Sequence, residues 1–174
     1  LEKLDFSDCS LSQIPDSIQN LKKLKYLKLR NNDIEFIPDW LNKLTSLTFL
    51  DLSGCNIKNR FDLSGLSNVT DVVLDYNRRM TDLPTGLETL NKLARLTASN
   101  CSLKKVEESI LNCPELFLVD FHGNKNLTKI PANISGMENI IAICIDDTGI
   151  DNDLMKALKA SRRSNDVSII KYDS

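Results

Sequence analysis

Aliphatic residues recur along this chain in a single frame, seven times over. Written L-x-x-L-x-L-x-x-N/C-x-L, the frame begins at Leu1, Leu24, Leu47, Val69, Leu93, Leu116 and Ile140, at spacings of 23, 23, 22, 24, 23 and 24 residues. The second unit, LKYLKLRNNDIEFIPDWLNKL, carries it without exception; the fourth and sixth insert one residue after the asparagine, in NRRMTDLP and NKNLTKIP. Self-similarity at this period constrains the architecture more than any single motif does. Inward residues in each LxxLxL alternate with outward ones, the period of a strand. The spacing is too long for a hairpin, so successive strands must lie parallel, about 4.8 Å apart. The return path runs through a short helical or extended stretch, as at Ile14, Ile18 and Leu21. That stretch is thinner than a full helix layer, so the stack curves gently. One unit cannot bury its own apolar face, and stability must come from neighbour on neighbour.

The convex stretches read IPDSIQNL, IPDWLNKL, LPTGLETL and IPANISGM. On these residues the chain resembles the leucine-rich repeat family, in its 23-residue I/L-P-x-x-I/L-x-x-L subclass, from residue 1 to about residue 158. That subclass occurs in intracellular signalling adaptors, plant immune receptors and bacterial proteins. The resemblance implies an α/β right-handed solenoid with a curved parallel β-sheet on its concave face and short helical or extended convex segments. It also implies a protein partner, bound on that face.

Residues 1–150 hold the seven repeats, and residues 151–174 read as a C-terminal cap. DNDLMKALKASRRS has the pattern of a helix, with Asp151 or Asn152 as N-cap, Leu154, Ala157 and Leu158 on one face, and Arg162 and Arg163 in the last turn. VSIIKY then places Val167, Ile170 and Tyr172 inward in a closing strand. The opposite end carries no such cover. Leu1, Leu4, Phe6, Leu11, Ile14, Ile18 and Leu21 are expected to line an open edge, too apolar for a monomer surface. This predicts a preceding segment, or self-association through that edge.

An enzyme would lack parts. His122 is the single histidine, so a two-histidine zinc motif is absent, and the six glycines fall in no phosphate-loop spacing. His122 lies just beyond its strand and reads as an exposed contact residue. Outward carboxylates at Asp5, Asp51, Asp71, Asp75, Asp120, Asp146 and Asp147 are spread over the sheet rather than converging as acid–base or calcium chemistry requires. No cofactor is expected. A net charge of −2 argues against a dedicated nucleic-acid binder, and no apolar run approaches the roughly 18 residues of a membrane span.

Five cysteines, without tight clusters, favour a reducing interior and leave a secreted or cell-surface setting open. Cys9, Cys55 and Cys101 are each 46 residues apart, at the N/C position of alternate units, where Asn32, Asn77 and Asn124 stand in the others. Their side chains are expected to point into the coil. Two coils separate them by about 9–10 Å, beyond the ~7 Å a disulfide spans between Cα atoms. Cys113 reads as a filler on the convex side, and Cys144, at an outward strand position, as the most accessible thiol.

The frame names the outward rows. Third positions read Lys3, Tyr26, Phe49, Asp71, Arg95, Leu118 and Ala142; fifth positions Asp5, Lys28, Asp51, Val73, Thr97, Asp120 and Cys144; seventh positions Ser7, Arg30, Ser53, Asp75, Ser99, His122 and Asp146. Tyr26, Phe49, Val73 and Tyr76 are expected to form an aromatic–apolar strip rimmed by Arg30, Asp51, Asp75 and Arg95, with Lys28, Asp71, Leu118, Asp120 and His122 completing the partner-binding face. Aromatics and arginine inside a polar rim are the composition of interface hot spots. The alternative is a structural or sensor segment of a larger receptor-like or bacterial protein, whose activity lies elsewhere.

Overall fold

The computed structural model describes residues 1–160 and 167–170. Eight three-residue strands form one parallel sheet in chain order: β1 (Lys3–Asp5), β2 (Tyr26–Lys28), β3 (Phe49–Asp51), β4 (Asp71–Val73), β5 (Arg95–Thr97), β6 (Leu118–Asp120), β7 (Ala142–Cys144) and β8 (Ser168–Ile170). The register never slips across the repeats. Lys3, Tyr26, Phe49, Asp71, Arg95, Leu118 and Ala142 stand in one row, although the units differ in length. The result is a right-handed leucine-rich repeat solenoid.

Two inward columns explain that constancy. Fourth positions (Leu27, Leu50, Val72, Leu96, Val119, Ile143) and sixth positions (Leu29, Leu52, Leu74, Ala98, Phe121, Ile145) are all fully buried. A one-residue slip would turn every one of them to solvent. The two extra residues are absorbed after the strand, where Met80 and Leu127 close local turns by donating N–H to the carbonyls of Asn77 and Asn124. On the convex side, 3-10 segments occupy Asp16–Asn20, Asp39–Lys43, Leu87–Thr89, Glu108–Asn112 and Ala132–Gly136. Each places one apolar residue inward: Ile18, Leu41, Leu87, Ile110 and Ile134. The third unit has no helical turn and crosses with an Asp62–Thr85 bridge instead. Gly65 lets it pass: a Cβ there would sit 2.1 Å from the Asn42 carbonyl oxygen.

The ninth position ties the coils together. Asn77 accepts from the N–H groups of Cys55 and Ile57 (both 3.1 Å) and donates to the carbonyls of Leu52 (2.9 Å) and Leu74 (2.8 Å). Asn32 repeats the pattern in full, and Asn124 accepts from the Leu103 N–H and donates to the carbonyls of Ala98 and Phe121. In the alternate coils a thiol takes over the donation, Cys55 to Leu29 (3.1 Å) and Cys101 to Leu74 (3.3 Å). Cys9 departs from the expected burial and is exposed, its thiol turned to its own turn at the Ser7 carbonyl. Cys144 is half-buried, so Cys9 rather than Cys144 is the most accessible thiol.

Burial pushes the thiols of Cys55 and Cys113 up to about 11 and that of Cys101 up to about 12. Between pH 9 and 11 the folded chain therefore keeps protons that the unfolded chain releases, so stability is full below pH 9 and falls as pH rises. The expected slope is up to about 1.4 kcal/mol per pH unit for each thiol. Urea unfolding at pH 8, 9.5 and 10.5 measures it, and Cys101→Ala should flatten the slope by one thiol's share. Thiol labelling of the folded chain at pH 8 should modify Cys9 and spare Cys55, Cys101 and Cys113.

Both ends depart in part from expectation. Ile14 and Ile18 are buried, since their segment stacks on the next one (Asp39–Lys43). Leu4, Phe6, Leu11 and Leu21 are partly buried against the core, and Leu1 alone of the seven is exposed. Near the other end, helix α1 (Asn152–Ala160) starts at Asp151, whose Oδ1 accepts from the Leu154 N–H (2.8 Å), and buries Met155 and Leu158 with Leu154 and Ala157 beside them. In β8 the expected frame is off by one: Ile169 pairs with Ile143 and packs on the core, whereas Ile170 lies beside outward Cys144. Val167 is buried as expected. Adjacent isoleucines make either frame readable from sequence, and packing against Ile143 chooses. Arg162, Arg163 and Tyr172 lie outside the described residues.

Candidate protein-docking face

Inward residues fix each strand, so its third and fifth side chains must project from the opposite side. Tyr26 and Phe49 are neighbours in the third row and stack, with ring centroids 6.0 Å apart and planes inclined by 27°. Lys3 Nζ lies 4.9 Å from the Tyr26 ring centre and Lys28 Nζ 5.8 Å from that of Phe49, within cation–π range. These residues, with Leu4 and Asp5, line a hollow of about 380 Å³. Lys3 appeared in the outward row but was not among the expected contact residues. Its place before Tyr26 in that row was the available signal.

The expected four-member strip is not formed as one patch. Val73 sits in the fifth row beside Asp51, diagonal to Phe49, and Tyr76 lies in the turn beyond β4. Tyr76 belongs to a column the sequence reading passed over. The eighth residue of every coil has left-handed backbone: Asp8, Asn31, Gly54, Tyr76, Asn100, Gly123 and Asp147, with φ from 48° to 70°. Asparagine, aspartate and glycine tolerate this region, whereas a bulky aromatic strains in it. Gly54 and Gly123 also leave room for their neighbours, since a Cβ would meet Asn31 Oδ1 at 2.6 Å or Asn100 Oδ1 at 2.5 Å. Tyr76 is the exception in the column, and the residue is 56% exposed.

The acidic side of the face is internally satisfied. Asp71 pairs with Arg95 through its Nε (2.7 Å) and accepts from the Thr70 hydroxyl (2.7 Å). Asp75 accepts from Ser99 N–H and Oγ and from the Thr97 hydroxyl. Asp51 takes both donors of Ser53, and Asp5 both donors of Ser7, which hold the Asp5 carboxyl below its ordinary range. Leu118 lies half-buried between Arg95 and Ala142 in the third row.

His122 is half-buried and hydrogen-bonded on both ring nitrogens. Asn100 Nδ2 donates to Nε2 (2.9 Å), so Nδ1 carries the proton given to Asp120 Oδ1 (2.8 Å). A base needs a free lone pair, and here the amide occupies it. Among the described residues no cluster of three His, Cys, Asp or Glu side chains could hold a metal ion, and no helix is long and apolar enough to cross a membrane.

A one-layer parallel sheet with its core on one side and a continuous side-chain lattice on the other defines a solenoid that presents a strand surface. The chain belongs to the leucine-rich repeat family: the family's profile matches residues 1–57, and a second leucine-rich repeat profile matches residues 46–69. It is 34% identical over 144 residues to the Arabidopsis thaliana disease resistance protein RPS6, a match covering 80% of this chain and 12% of that protein. The functional domain of InlJ from Listeria monocytogenes, described as including a cysteine ladder, superposes with a TM-score of 0.74 at 22% identity, over 86% of this chain and 31% of its own. The Toll–Spatzle complex of Drosophila contains a chain that superposes with a TM-score of 0.68 at 21% identity, over 97% of this chain and 27% of its own. The chain thus spans about one eighth of the plant relative and under a third of either structural neighbour.

Proposed function

We propose that this chain is a non-enzymatic docking module that holds a protein partner on its concave strand face. The observation that carries the reading is the Tyr26–Phe49 stack, set on a sheet whose register is fixed by a fully buried core. Rigid aromatics lose little freedom on binding, so their contact area converts well into affinity. Tyr76 adds support, as an exposed aromatic kept at a backbone position that favours asparagine or glycine. Toll, a fold relative, is solved in complex with Spatzle.

Tyr26→Ala combined with Phe49→Ala should weaken partner binding on the order of 100-fold while the thermal midpoint changes little, as two hot-spot truncations would. Quantitative comparison of proteins captured by the native and doubly substituted chains measures this. Equal capture by the two would sink the docking reading. The second reading, a sensor segment within a larger protein, draws on the 12% coverage of the plant relative. In either reading, helix α1 and strand β8 serve to close the stack.

A further inference from the structure

Charge is not evenly committed across the strand face. Asp5, Asp51, Asp71, Asp75 and Asp120 are each hydrogen-bonded within the face, to Ser7, Ser53, Arg95, Ser99 and His122. At the β1–β2 end the cations are different. Lys28 stands between Asp5 and Asp51 in register, yet forms no ion pair with either among the described residues, because each carboxylate is turned to its own serine. Lys3 rests over Tyr26, Lys28 rests over Phe49, and Arg30 is exposed at the end of the same strand path. Lys3, Lys28 and Arg30, none of them in an ion pair among the described residues, therefore lie around the stacked rings and the hollow beside them. Against them stands the single carboxylate of Asp5, which Ser7 holds and which Lys28 favours only at longer range.

We propose that this corner selects an acidic segment of a protein partner: its carboxylates meet Lys3, Lys28 and Arg30, and one apolar side chain enters the hollow between Tyr26, Phe49 and Leu4. The proposal rests on the docking reading and gives it a chemistry. An ammonium poised over a ring can accept a carboxylate from its open side without leaving the ring, so the cations need not reorganise. A nucleic acid would also offer anions and stacking bases. Its backbone, however, would run on past Phe49 into the coil of β4, which carries Asp71 and Asp75. A short peptide carrying a few acids around one apolar residue ends before that point.

The test pans a displayed library of random dodecapeptides on the immobilised chain, then titrates the enriched peptides by fluorescence anisotropy. Peptides with Asp or Glu flanking Phe, Leu or Ile are expected. Their affinity should fall about tenfold or more in Lys3→Glu/Lys28→Glu, and also with rising salt, as charge-steered contacts do. Phe36→Ala, exposed and off the strand face, should leave it unchanged. Lys3→Gln/Lys28→Gln keeps the test readable if charge reversal disturbs folding, which circular dichroism checks. Peptides that need Tyr26 and Phe49 but lack acidic residues, or that ignore the lysine changes, would overturn this inference and leave docking intact. Tighter binding of a twelve-residue thymidine oligonucleotide would overturn it in favour of nucleic acid. Enrichment insensitive to Tyr26 and Phe49, or none at all, would count against both readings.

Discussion

Asn77→Leu is expected to lower the unfolding free energy by about 3 kcal/mol or more, since it strands three buried backbone groups, the N–H groups of Cys55 and Ile57 and the Leu52 carbonyl, at ~1–3 kcal/mol each. The residue is fully buried, and among the described residues its amide is the sole side-chain partner of the N–H groups of Cys55 and Ile57. Leucine keeps the same branched side-chain skeleton, so no cavity is left; the unmet hydrogen bonds, with some overpacking by its bulkier methyl groups, are the cause. Asn77→Cys should cost less, because a thiol at this position can still donate inward, as Cys55 and Cys101 do in the flanking coils. The ordering leucine worse than cysteine, read from urea midpoints, is the expected result. Equal midpoints for the two variants would show that the amide contributes little.

Phe121→Ala should be comparably severe, at about 3–5 kcal/mol for a buried phenylalanine truncated without collapse. Its column reads Leu29, Leu52, Leu74, Ala98, Phe121 and Ile145, all without exposure. The smallest member adjoins the largest, so the two share the volume that two leucines would fill. Ala98→Leu alone is therefore expected to overpack by about 1–3 kcal/mol. Ala98→Leu with Phe121→Leu should recover most of that loss. Thermal or urea unfolding of the two single variants and the double variant gives the coupling directly.

Most of this architecture was readable beforehand because the frame separates inward from outward residues by position alone. Val72 and Leu74 are buried for the same reason that Asp71 and Val73 are not. Part of what failed depended on neighbours the frame does not name. Cys9 was expected inward with Cys55 and Cys101, but burial at that site comes from the coil on the far side, and no described coil lies there. The aromatic strip is a pair for a reason the frame itself names: Val73 is a fifth-row residue, and Tyr76, eighth in its coil, falls beyond the strand. The division between committed acids and uncommitted bases was partly legible as Asp-x-Ser, in DFS and DLS. Its meaning required knowing that the aspartate turns back to the serine rather than across to Lys28. The left-handed column was present as D, N, G, Y, N, G, D and went unread.

Constant register despite unequal unit lengths has a consequence for how such a surface can change over generations. Length variation is taken up at Met80 and Leu127, away from the strands, so the lattice of outward side chains stays aligned. Substitutions at those outward sites need no compensating change beneath them, and a duplicated 46-residue pair would lengthen the lattice without breaking the asparagine–cysteine alternation. Recognition and foldability are thus inherited as separable traits, one free to drift quickly while the other stands still.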